Sequence, residues 1–189
     1  MRAFIAIPLP PAVTALAVQL QDRLRTAGHG SFPPPENLHL TLAFIGEIPE
    51  EREAALAAAM QSVPMKKMHL ATGEVGRFDQ REGGTVYLAV RPDPALLSYR
   101  AALCASVRAA GFAIDEKAFI PHITLARKAA LPPGGIKAEA AEFDAAKTVL
   151  YESRQIPGRR IYRAAARSGA QKDIDSAARD ANNFHEKER

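Results

Sequence analysis

The amino-acid sequence predicts a mixed helix-and-strand protein built as two similar lobes related by a pseudo-two-fold axis. Three matches at a single offset predict it. Shifted by 83 residues, Phe4-Ile5-Ala6-Ile7 lies on Tyr87-Leu88-Ala89-Val90 and Ala27-Gly28 lies on Ala110-Gly111. The same shift puts His39-Leu40-Thr41-Leu42-Ala43 on His122-Ile123-Thr124-Leu125-Ala126. Strand, helix end and histidine strand coincide without a gap, so the chain repeats a strand–helix–strand unit. Chance matching of apolar strands explains the first match alone.

Phe4–Leu9 reads as the first strand, ended by Pro10 and Pro11, which suit a helix entry. Val13, Leu16, Ala17, Leu20 and Leu24 then recur at helical spacing up to the exit at Gly28 and Gly30. Three prolines, Pro33 to Pro35, form a stiff approach to a strand over Leu38–Ile45. A second helix is expected over Glu50–Gln61. Strands follow at Met68–Val75 and Thr85–Val90, joined through the turn signal Gly83-Gly84. The third helix spans Pro94–Ala110 and is closed by Gly111. Strand-like segments lie near Ile123–Ala126, Thr148–Tyr151 and Ile161–Ala165. From Arg167 the sequence turns polar, with five basic and five acidic residues in the last 23. Ile174, Ala177, Ala178, Ala181 and Phe184 give this tail a weak amphipathic stripe, read as peripheral and non-catalytic.

At 189 residues, 47% hydrophobic and 24% charged, the chain is globular and sized for one domain or two small lobes. A net charge of +4 and a pI near 9.4 suit a polyanionic partner without requiring one. The single cysteine, Cys104, excludes an internal disulfide and reads as a small buried helix residue. The proline-broken N-terminus lacks a signal-peptide core, and no apolar run approaches a membrane span. A cytoplasmic monomer that does not engage a membrane is the default expectation.

Alternation places His39 and Thr41 on one strand face and Leu40 and Leu42 on the other. His122 and Thr124, with Ile123 and Leu125 behind them, repeat the arrangement. The chain has five His and seven Thr, and two of each fall in this pattern. If the lobes meet about the pseudo-axis, two imidazoles and two hydroxyls converge on one cleft. Opening a cyclic phosphodiester needs a base to take a proton from water and an acid to protonate the leaving alkoxide. Histidine can hold either role near neutral pH. Threonine hydroxyls can bind the non-bridging oxygens, and a cation can offset developing charge. Arg127 is the candidate cation, although alternation puts it on the far face from His122 unless the strand bends.

No His-Glu-x-x-His, paired cysteines or carboxylate cluster accompanies the histidines, so neither metal nor cofactor is expected. His29 and His185 read as solvated and His69 as exposed or satisfied. Arg159-Arg160 after Gly158 reads as a solvated turn, with contact to an RNA backbone as the alternative.

These paired strand motifs resemble the 2H phosphoesterase superfamily, and within it the RNA 2′,3′-cyclic phosphodiesterase (bacterial 2′-5′ RNA ligase) family. The resemblance covers most of residues 1–166. It rests on Arg2-Ala-Phe-Ile-Ala-Ile-Pro-Leu-Pro, Pro34-Pro-Glu-Asn-Leu-His-Leu-Thr-Leu-Ala-Phe-Ile-Gly-Glu, Phe119-Ile-Pro-His-Ile-Thr-Leu-Ala-Arg and Val149-Leu-Tyr-Glu-Ser. It implies a bilobal α+β fold with two antiparallel sheets flanking a central cleft and helices outside. It also implies metal-free hydrolysis of RNA 2′,3′-cyclic phosphate ends to 2′-phosphates, with RNA ends or cyclic nucleotides as substrates. By position, His39 would protonate the departing 3′-oxygen and His122 would activate water, labels that the near-equivalent halves allow to be exchanged. Thr41, Thr124 and Arg127 would hold the phosphate. Relatives often carry Arg-Trp where this chain has Ser31-Phe32, so Phe32 is read as a base-stacking residue with core packing as its alternative. Reversible 2′-5′ ligation, cleavage of a 2′-5′ linkage and non-catalytic RNA-end binding are the competing functions.

Overall fold

The computed structural model describes residues 1–80, 83–115 and 118–169. Its elements follow the repeat. β1 (Arg2–Pro8), α1 (Pro11–Ala27) and β2 (His39–Glu47) form the first copy. After α2 (Glu53–Gln61) and β3 (Met68–Phe78), the second copy runs β4 (Gly84–Val90), α3 (Pro94–Ala109) and β5 (His122–Ala129). β6 (Glu142–Ala145), β7 (Lys147–Ile156) and β8 (Arg159–Gly169) complete the chain. The starts of α1 and α3, and of β2 and β5, are each 83 residues apart (11 to 94 and 39 to 122).

The strands lie in the order β6-β3-β4-β5-β2-β1-β7-β8, every pairing antiparallel. The two expected sheets are therefore halves of one eight-stranded sheet, β5-β4-β3-β6 and β2-β1-β7-β8. Among the described residues one pair, Leu40 with Ile123, joins β2 to β5. These residues are themselves equivalent in the repeat (40 + 83 = 123), so the seam of the sheet coincides with the pseudo-axis.

The repeat does not extend to strand register. Leu40 pairs with Ile7 in β1, whereas Ile123 pairs with Leu88 and not with residue 90, the equivalent of 7. β4 is thus displaced by two residues. An even slip keeps every side chain on its original face, so both halves still bury the same aliphatic set.

All three helices cover one face of the sheet and leave the other open as a cleft. Pro11 opens α1, whose buried stripe is Val13, Ala17, Leu20 and Leu24. Asp93 caps α3, its Oδ1 accepting the amides of Ala95 and Leu96 at 2.9 and 3.0 Å. Leu96, Leu103, Cys104 and Val107 form the buried face of α3. The two repeated helices cross to the other half: α1 packs on β5 and α3 on β2. The lobes are interlocked by this exchange. Leu40, Leu42, Ile123 and Leu125 lie at the centre of the resulting core, each 2% exposed or less.

Several boundaries differ from the sequence expectation. Helix two begins as a 3-10 turn at Glu50–Arg52, and β6 is a strand beyond those the sequence predicts. β8 continues to Gly169, where Arg167 and Ser168 pair with Val149 and Thr148. The first three residues of the expected tail therefore belong to the sheet, while its amphipathic stripe and His185 lie outside the described residues. No helix among the described residues is long and apolar enough to cross a membrane.

Candidate active site

The central seam determines how the motif residues meet. Extending the Leu40–Ile123 register by one residue on either side sets His39 opposite Thr124 and Thr41 opposite His122. Residues directly opposed in an antiparallel pair share a face, with Cβ atoms about 4.5–5.5 Å apart. With Leu40 and Ile123 fully buried in the core, all four polar side chains turn to the cleft, each half-buried. Neither threonine hydroxyl is engaged by another group among the described residues, leaving both free for a ligand.

The bend that Arg127 needs is a β-bulge. In β5 the register passes from Thr124–Tyr87 to Ala126–Val86, so Leu125 and Ala126 both face the core and the alternation inverts. Arg127 then points to the same side as His122 and Thr124. A second irregularity follows at Lys128, whose φ of 52° is uncommon for a residue with a side chain. Between the two, the Arg127 backbone exchanges hydrogen bonds with Ser31, 2.8 and 2.9 Å long. β2 carries the equivalent bulge at Leu42–Ala43, and there the position of Arg127 is taken by Phe44, 38% exposed.

Side chains from the exchanged helices cap the bulge carbonyls. Gln21 of α1, 1% exposed, donates from Nε2 to the Leu125 and Pro33 oxygens at 2.9 Å. Arg100 of α3 donates from Nε to the Leu42 oxygen at 3.1 Å. The same device appears in each half with different chemistry.

Both imidazoles are oriented by the carbonyl two residues upstream. Nδ1 of His39 lies 2.7 Å from the Asn37 oxygen, and Nδ1 of His122 lies 2.7 Å from the Ile120 oxygen. A carbonyl can only accept, so Nδ1 carries the hydrogen and Nε2 is left for chemistry. Burial pushes His39 down from 6.5 to about 4. The Asn37 carbonyl opposes that fall, while the charges of Arg127 and His122 add to it. His122 is also lowered, first by burial and then by Arg127, against the Ile120 carbonyl. The two imidazoles and Arg127 thus share one electrostatic field.

Aromatic side chains wall both ends. Phe4 lies 4.8 Å from His39, and Tyr162 meets it edge-on at 5.4 Å. Phe78 and Tyr87, stacked on each other at 4.2 Å, lie 5.1 and 5.3 Å from His122. None of these four was singled out from the sequence, yet the repeat already equates Phe4 with Tyr87 and Asn37 with Ile120.

Phe32 is not brought to the histidines. It packs partly against the core, with the Arg25 guanidinium 4.6 Å over its ring. His29 is exposed, and His69 bridges Glu142 and Asp144 at 3.2 Å. Among the described residues no three His, Cys, Asp or Glu gather to hold a metal. A cavity of about 510 Å³ near α2, β7 and β8 lies outside this cluster. Both arginines that line it are ion-paired, with buried Glu152 taking Arg154 and Arg163 at 2.8 and 2.7 Å.

Residues 10–154 match the model of the 2′-5′ RNA ligase superfamily. A relative from Escherichia coli named RNA 2′,3′-cyclic phosphodiesterase is 31% identical over 85% of this chain and 92% of its own. One of the same name from Geobacillus stearothermophilus is 32% identical over 79% of this chain, which spans about half that relative's length (51%). Escherichia coli LigT complexed with 3′-AMP superposes with a TM-score of 0.75 at 26% identity, covering 90% of this chain and 98% of that one. A Thermus thermophilus structure superposes at 0.76, again at 26% identity, covering 92% and 100%.

Proposed function

The chain belongs to the 2′-5′ RNA ligase superfamily, and from that membership we propose that it hydrolyses RNA 2′,3′-cyclic phosphate ends to 2′-phosphates through His39 and His122. The observation that carries this reading is the Leu40–Ile123 pair, whose register opposes each imidazole to the hydroxyl of the other copy. A phosphate in that square has a nitrogen on either flank and a hydroxyl beside each.

In the proposed step, Nε2 of His122 takes a proton from water while the water oxygen attacks phosphorus. The bond from phosphorus to the 3′-oxygen breaks, and His39 supplies the proton that makes the 3′-hydroxyl. The 2′-oxygen keeps the phosphate, and the pair exchanges its displaced proton with solvent. Thr41 and Thr124 donate to the non-bridging oxygens, and Arg127 balances the growing negative charge. In the free protein burial, with the charge of Arg127 adding to it, lowers the pKa of both histidines. The negative charge of the bound cyclic phosphate offsets Arg127 and favours the protonated form of His39, which then holds the proton it delivers.

Both histidines come from one chain, so a monomer suffices. A reducing cytoplasm accords with Cys104 buried and unpaired. The test is product analysis on an oligonucleotide ending in a 2′,3′-cyclic phosphate, with a chelator present. A new 2′-phosphate is expected. A joined oligonucleotide, an untouched end, or turnover abolished by chelator and restored by zinc would each contradict the proposal.

A further inference from the structure

We propose that Arg160, steered by Gln155, binds the phosphodiester one nucleotide upstream of the cyclic end, so that the cleft reads an RNA chain and not only its terminal nucleotide. This rests on the hydrolysis proposed above and names a second contact for the same substrate.

The argument starts from strand faces. Tyr162 on β8 points into the cleft, since its ring meets His39 edge-on. Arg163, the next residue, points the other way to Glu53 of α2, 2.7 Å distant. The β7–β8 register is unbroken from Tyr162–Ser153 to Arg160–Gln155, so Arg160 shares the cleft face with Tyr162. Two residues along a strand are about 6–7 Å, which puts Arg160 one step out from the aromatic wall of His39.

The base of Arg160 is anchored. Its carbonyl accepts Nδ2 of Asn37 at 2.7 Å, and Asn37 is the residue whose own carbonyl orients His39. The guanidinium is directed by a second contact, Nε donating to Oε1 of Gln155 at 3.3 Å. Among the described residues its terminal nitrogens have no hydrogen-bond or ion-pair partner. Neither Arg159 nor Arg160 is paired with a carboxylate among the described residues, although Arg154 and Arg163 nearby on the same two strands both are. An arginine with its Nε held and its terminal N–H groups open presents the fork that suits a phosphate.

The opposite end of the cleft lacks this chemistry. β6, which occupies in its half the outer place of β8, buries Phe143 and Ala145 and turns Glu142 and Asp144 to the other face. There the two carboxylates are taken up by Lys67 and His69, and no arginine fork like that of Arg160 is presented among the described residues of β6.

The test compares a nucleoside 2′,3′-cyclic phosphate with a dinucleotide ending in the same group. The second substrate alone carries the upstream phosphodiester. Arg160→Gln keeps the backbone carbonyl used by Asn37. We expect its loss in kcat/KM on the dinucleotide to exceed its loss on the mononucleotide by about tenfold or more. The log–log salt dependence for the dinucleotide should also fall by about 0.7, one phosphate contact on a single strand. Gln155→Ala should move both quantities in the same direction by less. Equal losses on the two substrates, or an unchanged salt slope, would overturn the assignment. Wild-type protein that leaves both substrates intact would instead defeat the hydrolysis reading, and this inference with it.

Discussion

Leu40 pairs with Ile123 across the middle of the sheet, and the two occupy the same place in the 83-residue repeat. A pseudo-axis through that pair makes each half supply the partner of the other half's imidazole. Duplication, core packing and the polar square are thus one arrangement: the residues that bury the seam also set the register of the site.

Replacing His39 or His122 with Ala is expected to lower kcat by about 10²–10⁴-fold each while the fold persists. The double variant should lose little more than the worse single one, because groups acting as a unit are not additive. A substrate with sulfur in place of the 3′-oxygen separates the roles. Its leaving group needs no proton, so it should restore turnover to His39→Ala and not to His122→Ala.

Arg127→Ala should raise the pKa of both histidines, since Arg127 lowers each. Imidazole chemical shifts followed against pH measure this directly. Turnover should fall by about 10²-fold or more from loss of charge stabilisation. Histidine titrations that do not move would show that Arg127 lies outside their field.

His39 also predicts a pH dependence of stability. The folded protein protonates it near 4 and the unfolded chain near 6.5, so between these values the unfolded chain binds more protons. Stability therefore rises with pH over that window. The share due to His39 is fully present above about 6.5 and is lost as pH falls toward 4, at most about 3 kcal/mol. Denaturant unfolding at pH 7 and 4.5 should show a smaller acid loss in His39→Ala than in the wild type. An equal loss in both would contradict the depressed value.

Gln21→Leu removes the donor for the Leu125 and Pro33 carbonyls at the bulge. Leaving buried acceptors unsatisfied costs about 1–3 kcal/mol each, which should appear as a lower denaturant midpoint. Because the bulge aims Arg127, turnover at full folding should fall as well. A destabilised variant with wild-type kcat would separate the bulge from catalysis.

Much of this was legible in the chain. The offset of 83 located both histidine strands and both α1-type helices, because each carries a strong apolar period and a distinct end signal. The orientation of Arg127 was hidden for a local reason. Leu125-Ala126 and Leu42-Ala43 are consecutive apolar pairs that break the alternation, and that break marks a bulge only once both residues are seen to be buried. The joining of two halves into one sheet depends on a single residue pair, too short to leave a pattern. β6 escaped notice because Glu142–Ala145 is four residues long and half acidic. The aromatic walls gather from β1, β3, β4 and β8, so no sequence window contains them. Phe32, for which the sequence leaves base stacking and core packing both open, packs partly against the core beneath Arg25.

The central claim is that both imidazoles act on one phosphorus centre, and nitrogen-15 NMR of the two rings during titration with a nucleoside 2′-phosphate, the expected product, tests it most directly. The account predicts that the Nε2 signals of His39 and His122 move together along one saturation curve with a single equivalent bound. Movement of one ring alone, or two curves of different stoichiometry, would contradict it.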